Sequence, residues 1–347
     1  MYWEKHIIQE SSKIKDALKA LDSLGQDTVL FVTNEKKGLV GTLTDGDIRR
    51  GLLNGIDLDQ DVLTTCNKSP KFIKENDIYK LAEYRDKKLK MIPILDQDRI
   101  IVDIINFRLS KTKLPVDVVV MAGGKGRRLR PLTMNTPKPL LNVGSKPIIE
   151  HLIDQLSYHG MTDIKLSIKY LGEQLEEFAK KKSSSILKIS STWDKDELGT
   201  IGSLKLIKEL NKKYVIVCNS DLLTNVDYEK FFFDFIESDA DLSVISIPYT
   251  VNIPYAVLNL KANNILDLKE KPSYTYYSNG GIYLMKKEIL NLIPDFVKYS
   301  ATDLIEKAIE MNKTVRSFRH EGYWLDIGRI DDYNKANKDI ALGKIKR

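Results

Sequence analysis

Apolar and polar positions in the first third of the chain predict helices and strands in an order that occurs twice. The segment KIKDALKALDSLG has a helical period and ends at Gly25, and two short strands follow it, TVLFVTN and GLVGTLT. DGDIRRGLLNG then predicts a helix with acidic residues at its start, ending at Gly55. The order returns in DIYKLAEYRDKK, MIPILDQ, RIIVDII and the start of a helix at NFRLSK. Superposing the copies puts Thr44 on Asn106, 62 residues further on, and predicts an internal repeat.

A second pattern begins after the polar segment SKTKLPVDVV, which contains Pro115 and predicts a domain boundary. From Val116 onward, runs rich in Val and Ile alternate with helical segments. The predicted strands are VDVVVMA, DIKLSIKY, LKISSTW and YVIVCNSD; the predicted helices are PIIEHLIDQLSYHG, GEQLEEFAKKK, IGSLKLIKELN and YEKFFFDFIESD. This alternation predicts an α/β fold with a mostly parallel sheet covered on both faces. Ligands of such sheets bind beyond the carboxyl ends of the strands.

Composition places the protein among ordinary globular chains. The 347 residues suffice for about two domains of ~150 residues. Apolar residues make up 42% and charged residues 29%. The net charge of +6 is the difference between 54 basic and 48 acidic residues, and Lys and Glu are interleaved along most of the predicted helices. The sequence contains no basic block interleaved with aromatic residues, so it does not predict nucleic-acid binding. The two cysteines, Cys66 and Cys218, predict neither a disulfide framework nor a zinc site. The N-terminus lacks a signal-peptide pattern and no apolar run is long enough to span a membrane, so we expect a cytoplasmic protein.

The stretch VVVMAGGKGRRLRPLT joins a buried strand to exposed backbone and cationic side chains. Its glycines, Gly123, Gly124 and Gly126, allow backbone amides to approach an anion closely. Arginine side chains fit phosphate oxygens, and three of them follow, at 127, 128 and 130. The spacing matches neither the Walker loop nor the dinucleotide fingerprint. These residues alone predict either a polyphosphate site or a glycine-rich turn with a solvated basic face.

The longer motif MAGGKGRRLRPLT followed by TPKPLL resembles the signature of the sugar-1-phosphate nucleotidyltransferases, with Arg127 where that family usually has Thr. The resemblance extends over about residues 116–340. It implies a Rossmann-like nucleotidyltransferase (GT-A-like) domain, which we place at 116–347. It also implies that Arg128 and Lys138 hold the phosphates of a nucleoside triphosphate. The nucleotide-binding residues that it implies in this loop are Ala122, Gly123, Gly124 and Gly126.

Two later motifs complete the nucleotide and metal sites that the resemblance implies. Gly199 and Thr200, in DELGTIGS, match an element that borders the base, in a version more typical of guanylyl-transferring relatives. Asp221 ends the strand YVIVCNSD and Asp326 lies in YWLDIG. Without the family match, a helix cap is the favoured interpretation of an aspartate at the end of a strand such as Asp221. The family places one Mg²⁺ on these two carboxylates, and hard oxygen ligands suit that ion.

Further matches imply a sugar site. In LKEKPS, Glu270 would accept hydrogen bonds from sugar hydroxyls, and Lys271 would hold the sugar phosphate. Without the family match, an isolated charge pair of this kind is more often a solvent-exposed pair with no function. Asn279 and Gly280, in SNGGIYLM, match positions that contact the sugar, and the backbone of Pro254–Leu258 matches a strand that borders it. The four histidines, at 6, 151, 159 and 320, fit none of these motifs, and we expect no catalytic role for them.

The N-terminal repeat resembles a CBS-domain pair (a Bateman module), with domains at 1–56 and 57–113. The resemblance is carried by GTLTDGDIRR, in which Thr44 and Asp47 match residues that contact an adenine nucleotide. The second copy has Asn106 and Leu109 at these positions, so it implies at most one regulatory nucleotide site. The alternative is that the pair binds no ligand and only mediates docking and dimerisation.

Together these resemblances imply a Mg²⁺-dependent reaction of an NTP with a sugar 1-phosphate, giving an NDP-sugar and pyrophosphate. The nucleophile is a phosphate oxygen that is already ionised, so no general base is required. A CBS pair fused to a transferase resembles guanylyltransferases of bacterial nonulosonic (legionaminic) acid routes, which favours GTP and glucosamine 1-phosphate and a homo-oligomer. Mannose or heptose 1-phosphate and other nucleotides remain open. Two rivals are a nucleotide-sensing protein with an inactive transferase domain and a glycosyltransferase, although NSD lacks the Asp-x-Asp motif of the latter.

Overall fold

Two small three-stranded sheets form the N-terminal part of the protein. The computed structural model describes residues 2–74, 77, 80–194 and 198–345. The first sheet contains β1 (Ile7–Gln9), β2 (Val29–Thr33) and β3 (Leu39–Thr44), with helices α1 (Ile14–Ser23) and α2 (Asp45–Leu53). The second contains β4 (Ile73–Lys74), β5 (Met91–Leu95) and β6 (Ile101–Asn106), with helix α3 (Lys80–Asp86). The start of the helix predicted in DIYKLAEYRDKK lies partly outside the described residues, at 78 and 79.

The two sheets repeat each other in strand direction and register. In each, the first strand runs parallel to the second and the second runs antiparallel to the third. Val29 pairs with Thr44, and Met91 pairs with Asn106 at the offset of 62 residues expected from the sequence. Even the irregularity at Thr33 returns, at Leu95. The sequence repeat is therefore also a structural repeat.

The helix predicted to start at NFRLSK is not formed. Residues 107–109 make a turn, and the chain is irregular from there to 115. The Asn106 side chain accepts a hydrogen bond from the Arg108 amide at 3.0 Å, a local turn that competes with a helix. The Arg108 side chain instead binds Asp27 in the first copy through two hydrogen bonds, of 3.0 and 2.7 Å.

The chain divides into two units, the first holding the residues up to Leu114 with Ser157–Thr162 and Ser184–Lys188. Its two sheets share a buried apolar cluster that includes Phe31, Leu39, Met91 and Ile104. The apolar side of α1 packs into a second cluster under the first sheet.

The second unit is built on a seven-stranded sheet. Its strands are β7 (Val116–Ala122), β10 (Asp163–Ile168), β11 (Lys188–Trp193), β12 (Tyr214–Asn219), β14 (Leu242–Asn252), β17 (Ser273–Lys286) and β18 (Val315–Arg319). Shorter strands are β8 (Asn142–Val143), β9 (Lys146–Pro147), β13 (Leu222–Thr224), β15 (Val257–Lys261), β16 (Asn264–Lys269) and β19 (Trp324–Asp326). The helices are α4 (Ile148–Tyr158), α5 (Gly172–Lys182), α6 (Gly199–Gly202), α7 (Tyr228–Glu237), α8 (Ala301–Glu310) and α9 (Ile330–Ala341).

The sheet order is β11-β10-β7-β12-β17-β14-β18. Strand β7 lies between β10 and β12 and is parallel to both, so the carboxyl ends of these three strands share one edge. The sheet is mostly parallel, as predicted, but β17 runs antiparallel to both of its neighbours. The central strands consist of buried Val, Ile and Leu, and helices supply the apolar partners on the sheet faces.

One predicted helix of this unit is largely wrong. In IGSLKLIKELN, α6 is a single turn that continues as a 3-10 turn to Leu206, and the following residues are irregular. Ile201, Leu204 and Leu210 are nevertheless buried in the core, as the apolar spacing suggested. Tertiary packing therefore buries these positions without a continuous helix. In the part of the chain that the structure describes, no helix combines the length and the apolar character that a membrane crossing requires.

Candidate active site

The glycine-rich loop follows β7 at the carboxyl edge of the sheet. Ala122 is buried at the end of the strand. Gly124 has open space where a side chain would lie, whereas Gly126 has φ of +56°. A Cβ at Gly126 would lie 2.9 Å from the Thr133 side chain and 3.1 Å from Cβ of Lys138. Glycine at 126 therefore lets the loop pass close to the segment that carries Lys138.

Thr133 stabilises the turn at Gly126 through a hydrogen bond from its buried side chain. Its side chain is fully buried, and its hydroxyl donates a hydrogen bond to the carbonyl of Gly126 at 2.8 Å. The carbonyls of Thr133 and Met134 both accept from the Tyr170 hydroxyl at 3.0 Å. These hydrogen bonds fix the loop at Gly126 and at the segment that follows it, while Gly124 keeps open space beside its backbone.

A cavity of about 420 Å³ opens beside this loop. Its walls come from the residues that directly follow β7, β10 and β12, and from α6 and the segment before α8. The lining residues are Met121, Gly123, Gly124, Lys125, Arg127, Lys138, Pro139, Ser167, Lys169, Asp194, Gly199, Thr200, Asn219, Ser220, Asp221 and Lys298. Five of them are lysines or arginines, so the cavity suits a polyanion. The arrangement brings together most of the nucleotide-binding residues expected from the sequence.

Asp221 and Asp326 lie side by side, although 105 positions separate them. Leu222 pairs with Asp326 in the β13–β19 ladder, and the Ile327 amide donates to the Asp221 carbonyl at 3.1 Å. Nζ of Lys138 binds Oδ2 of Asp221 and lies 3.7 Å from Oδ1 of Asp326. The structure therefore joins the predicted carboxylates and one predicted phosphate ligand in a single cluster.

The carboxylates of this cluster are incompletely satisfied. Oδ1 of Asp221 and Oδ1 of Asp326 are buried and accept no hydrogen bond among the described residues. Burial raises the pKa of Asp326, and the nearby Asp221 raises it further against the opposing effect of Lys138 and Arg128. Two buried oxygen acceptors that lack donors are the donor set expected for a hard cation that keeps water and phosphate as further ligands. The residues present fit Mg²⁺.

Arg128 lies on the Asp326 side of this cluster. Its Nη2 would be 3.2 Å from a Cβ at Gly328, so the guanidinium packs directly against that glycine. Arg128 is not one of the residues that line the cavity, whereas its neighbour Arg127 is. Arg127, which stands where the family signature usually has Thr, therefore lines the cavity, and Arg128 does not.

The predicted sugar residues lie apart from the cavity walls. Glu270 and Lys271 are exposed in the connection between β16 and β17. In β17, the Asn279 side chain accepts hydrogen bonds from the Gly281 amide at 2.9 Å and the Tyr283 hydroxyl at 3.0 Å. The carbonyl of Gly280 is linked to the acidic pair, because it accepts from Nε1 of Trp324, two residues before Asp326, at 3.0 Å.

Among the charged residues of the cavity, sequence reasoning missed three that lie outside the motifs singled out above: Lys169, Asp194 and Lys298. Lys169 and Asp194 directly follow β10 and β11, and this position at a strand end was the available signal. Lys298 is brought in by the next residue, Tyr299, whose amide donates to the Leu198 carbonyl at 2.8 Å. Asp196, at the start of DELGTIGS, lies outside the described residues, as does the glutamate after it.

Thr44 and Asp47 are mutual hydrogen-bond partners at the start of α2. Oδ2 of Asp47 accepts from the Thr44 amide at 2.8 Å, and Oγ1 of Thr44 accepts from the Asp47 amide at 3.3 Å, which forms a capping box. The Thr44 hydroxyl also donates to Oδ2 of Asp47 at 2.7 Å. Oδ1 of Asp47 accepts from Arg50 at 2.5 Å. Both side chains therefore stabilise the helix in this structure.

Cys218 has no place in the chemistry of the site. It is fully buried, and burial raises the pKa of its thiol to about 12. The thiolate needed for a nucleophile is therefore not formed near neutral pH.

Comparison with known proteins places this site in a family. A mannose-1-phosphate guanyltransferase of Kluyveromyces lactis is 32% identical over 226 residues, which are 62% of this chain and 62% of that protein. A D-glycero-alpha-D-manno-heptose 1-phosphate guanylyltransferase of Aneurinibacillus thermoaerophilus is 28% identical over 65% of this chain and 98% of its own length. The chain thus spans about three fifths of the yeast relative and nearly all of the bacterial one.

A solved structure matches over the same part. HddC from Yersinia pseudotuberculosis complexed with GMP-PN is 26% identical, with a TM-score of 0.50 over 65% of this chain and 99% of that one. The family model described as nucleotidyl transferase matches residues 117–342, which hold the glycine loop, the cavity and both aspartates. The chain is a member of the nucleotidyl transferase family.

Proposed function

We propose that the protein transfers a nucleoside monophosphate from an NTP to a sugar 1-phosphate and releases pyrophosphate. The observation that carries this proposal is the cluster in which Lys138 joins Asp221 and Asp326 beside the glycine loop. A loop of open backbone, several cations and an unsatisfied carboxylate pair together suit a metal-bound triphosphate. Two relatives that match this region are named as sugar-1-phosphate guanylyltransferases, and another is named as a UTP–glucose-1-phosphate uridylyltransferase.

In the proposed reaction, the protein positions two polyanions and lowers their repulsion. The cavity would hold the triphosphate, with the amides after β7, Lys125 and Arg127 along its β- and γ-phosphates. Lys138 lies at the acidic pair and would stabilise negative charge that develops around the α-phosphate. The sugar phosphate attacks as an ionised oxygen, so these side chains need to move no proton.

We propose Mg²⁺ as the cofactor, held by Asp221 and Asp326. Their unsatisfied buried oxygens support this assignment. When bound, Mg²⁺ supplies Lewis-acid stabilisation of phosphate charge. Asp221 and Asp326 would orient it, and Lys138 would limit the excess negative charge of the two carboxylates when the ion is absent.

We propose GTP as the nucleotide, on the chemistry of Asp194. This residue is 7% exposed and lines the cavity together with Gly199 and Thr200. A carboxylate is an acceptor only, and guanine presents two adjacent donors, N1–H and the 2-amino group. Uracil and thymine present one N–H between two carbonyl oxygens, which a carboxylate repels. Adenine carries no proton at N1.

We propose glucosamine 1-phosphate as the sugar substrate and a role in bacterial surface-glycan (nonulosonic acid) synthesis in the cytoplasm. The support is the resemblance of the whole architecture to such guanylyltransferases. Glu270, Lys271, Asn279 and Gly280 remain the proposed sugar contacts, with Lys271 on the phosphate. Mannose or heptose 1-phosphate is the alternative, and both sugars appear in the names of the matched relatives.

We propose further that residues 1–56 and 57–113 are two CBS domains, with the catalytic domain at 116–347. The repeated strand register supports this assignment. A regulatory nucleotide at Thr44 and Asp47 would have to displace hydrogen bonds that now cap α2. Calorimetric titration of the full chain and of Asp47→Asn with ATP, AMP and GTP tests it, because a real site gives heat that the variant loses.

The test of the proposed activity is a matrix of GTP, UTP, ATP, CTP and dTTP against glucosamine, mannose, heptose and glucose 1-phosphates, read as pyrophosphate release. We expect release with GTP that requires both Mg²⁺ and a sugar 1-phosphate. Release from a nucleotide without a sugar phosphate, or none in any well, would contradict the proposal. If no combination releases pyrophosphate but a nucleotide binds at the N-terminal repeat, the results would favour a sensing protein with an inactive transferase domain.

A further inference from the structure

Strand β17 contains a bulge beside the end of β12. Its pairing with β14 is irregular there, because residues 280–282 of β17 lie opposite Ile245 alone. Gly281, in the middle of the bulge, has φ of +72°, a backbone conformation that favours glycine. A bulge bends its strand and changes the direction in which nearby groups point, and bulges are frequent next to active sites.

The side chain of Asn279 holds this bulge. Its Oδ1 accepts hydrogen bonds from the Gly281 amide at 2.9 Å and from the Tyr283 hydroxyl at 3.0 Å. Tyr283 is buried, so a loss of this acceptor would leave its hydroxyl unsatisfied, which is costly. Both hydrogen bonds use Oδ1, whereas a contact from the side chain to a sugar oxygen would use Nδ2.

One side of the bulge is joined to the strand of Asp326. The carbonyl of Gly280 accepts a hydrogen bond from Nε1 of Trp324 at 3.0 Å. Trp324 lies in β19, two residues before Asp326, and side chains two residues apart in a strand point to the same face. The bulge therefore anchors β19 on the face that carries the carboxylate.

The other side of the bulge contacts the residues around Asp221. A Cβ at Gly281 would lie 2.6 Å from Nδ2 of Asn219 and 3.4 Å from Cδ1 of Leu222. Asn219 lies two positions before Asp221 and lines the cavity, and Leu222 follows Asp221 directly. One bulge thus contacts the chain on both sides of Asp221 as well as β19.

We propose that Asn279 is a positioning residue for the acidic pair, acting through this bulge. The inference rests on the proposed metal site at Asp221 and Asp326. Lys138 contacts both carboxylates but leaves one buried oxygen of each without a donor among the described residues. Their separation therefore depends on the backbone that carries them, and Oδ1 of Asn279 fixes the bulge against which that backbone packs.

The test is the binding of Mn²⁺ alone to the full-length protein, read from the electron paramagnetic resonance signal of the free ion. Mn²⁺ suits the same carboxylate ligands as Mg²⁺. Asn279→Ala should raise the dissociation constant at least ~10-fold, the order seen when groups that orient metal ligands are removed. Asn279→Asp keeps an acceptor oxygen and should bind almost as tightly as wild type. Ser278→Ala, at the exposed preceding position, is the matched control and should leave binding unchanged.

The possible failures of this test are distinguishable. Wild-type protein that binds no Mn²⁺, or Asp221→Ala that binds it as tightly as wild type, would overturn the proposed metal site and this inference with it. Mn²⁺ binding that Asn279→Ala leaves unchanged would overturn this inference alone. Equal losses from Asn279→Ala and Asn279→Asp would do the same, because they would assign the effect to Nδ2 instead of Oδ1.

Two milder variants keep the inference testable if Asn279→Ala does not fold. Trp324→Phe and Tyr283→Phe each remove one donor and keep an aromatic ring. We expect both to weaken Mn²⁺ binding, and Trp324→Phe to have the larger effect because its hydrogen bond joins the bulge directly to β19. Tyr333→Phe is the control, since its hydroxyl donates to the Asn142 carbonyl at 2.7 Å, outside this set. Unchanged binding in both test variants would overturn the inference.

Discussion

Asp221 and Asp326 are set side by side by the backbone of two short strands, and Lys138 contacts both carboxylates. The amide of Ile327 bonds to the carbonyl of Asp221, so neither residue can shift without disturbing the β13–β19 pair. Each carboxylate keeps one buried oxygen without a donor among the described residues. Buried carboxylate oxygens that lack hydrogen-bond donors destabilise a folded protein, so their presence here indicates a ligand.

Asp221→Ala should lower turnover by ~10²–10³-fold, because electrostatic stabilisation of this kind contributes a few kcal/mol to the transition state. Pyrophosphate release at saturating substrates and a Mg²⁺ titration measure the effect. Asp331→Asn, which removes an exposed carboxylate in the first turn of α9, serves as the control. A folded Asp221→Ala protein with near-normal turnover would remove Asp221 from the metal site.

Gly126→Ala should destabilise the second unit by about 1–2 kcal/mol, because the added Cβ meets Thr133 and the backbone is left-handed. Turnover should fall as well, since the collision also involves Lys138. Gly124→Ala is the matched control, because it adds the same atom to open space. Urea denaturation compares the three proteins. Equal stability of the two variants would show that the turn at 126 does not constrain the loop.

Asp194→Asn should lower kcat/KM for GTP by ~10–100-fold, because an unpaired donor or acceptor in a buried site costs that order of binding energy. The amide keeps the size of the carboxylate and offers a donor to uracil or adenine. The ratio of GTP to UTP use, measured in one protein, is an internal control for folding. If the ratio of GTP to UTP use is the same as in wild type, Asp194 does not contact the guanine base.

Lys271→Ala should raise the KM for the sugar 1-phosphate at least ~10-fold and leave the KM for GTP nearly unchanged, since the residue lies on the connection after β16 and not on the cavity wall. Lys269→Ala removes the same charge two residues away, at the end of β16, and should have little effect. Equal kinetics of the two variants would remove Lys271 from the sugar site.

Asp27→Asn should destabilise the first unit in a pH-dependent manner. The Arg108 side chain holds the pKa of Asp27 below its ordinary value of 3.8. A lowered folded pKa means that the bond stabilises the protein at pH values above the unfolded pKa and is lost as the pH falls through the folded pKa. We expect a difference in the free energy of unfolding of ~1–3 kcal/mol at pH 7, shrinking below about pH 4. Urea denaturation at several pH values measures it, and a constant difference would contradict the ion pair.

Local patterns were sufficient for most regular elements. The runs that form β7, β10, β11 and β12 were recognisable because strands buried on both faces need uninterrupted apolar side chains. The repeat was recognisable because both copies use the same spacing of strand and turn. The helices predicted in NFRLSK and IGSLKLIKELN are wrong for two different reasons. In the first, a side-chain turn at Asn106 replaces the helical hydrogen bonds that the pattern favoured. In the second, core packing of Leu210 replaces them.

By itself, the sequence determined the residue chemistry: open glycine backbone, cations and carboxylates at the ends of predicted strands, because each of these follows from local periodicity and residue type. Only the tertiary structure decided which of them meet. Asp221 and Asp326 became neighbours through the β13–β19 pairing, and Arg127 rather than Arg128 came to line the cavity. Such distances depend on long-range strand pairing and core packing, in which distant residues are brought together by burial that no local pattern encodes.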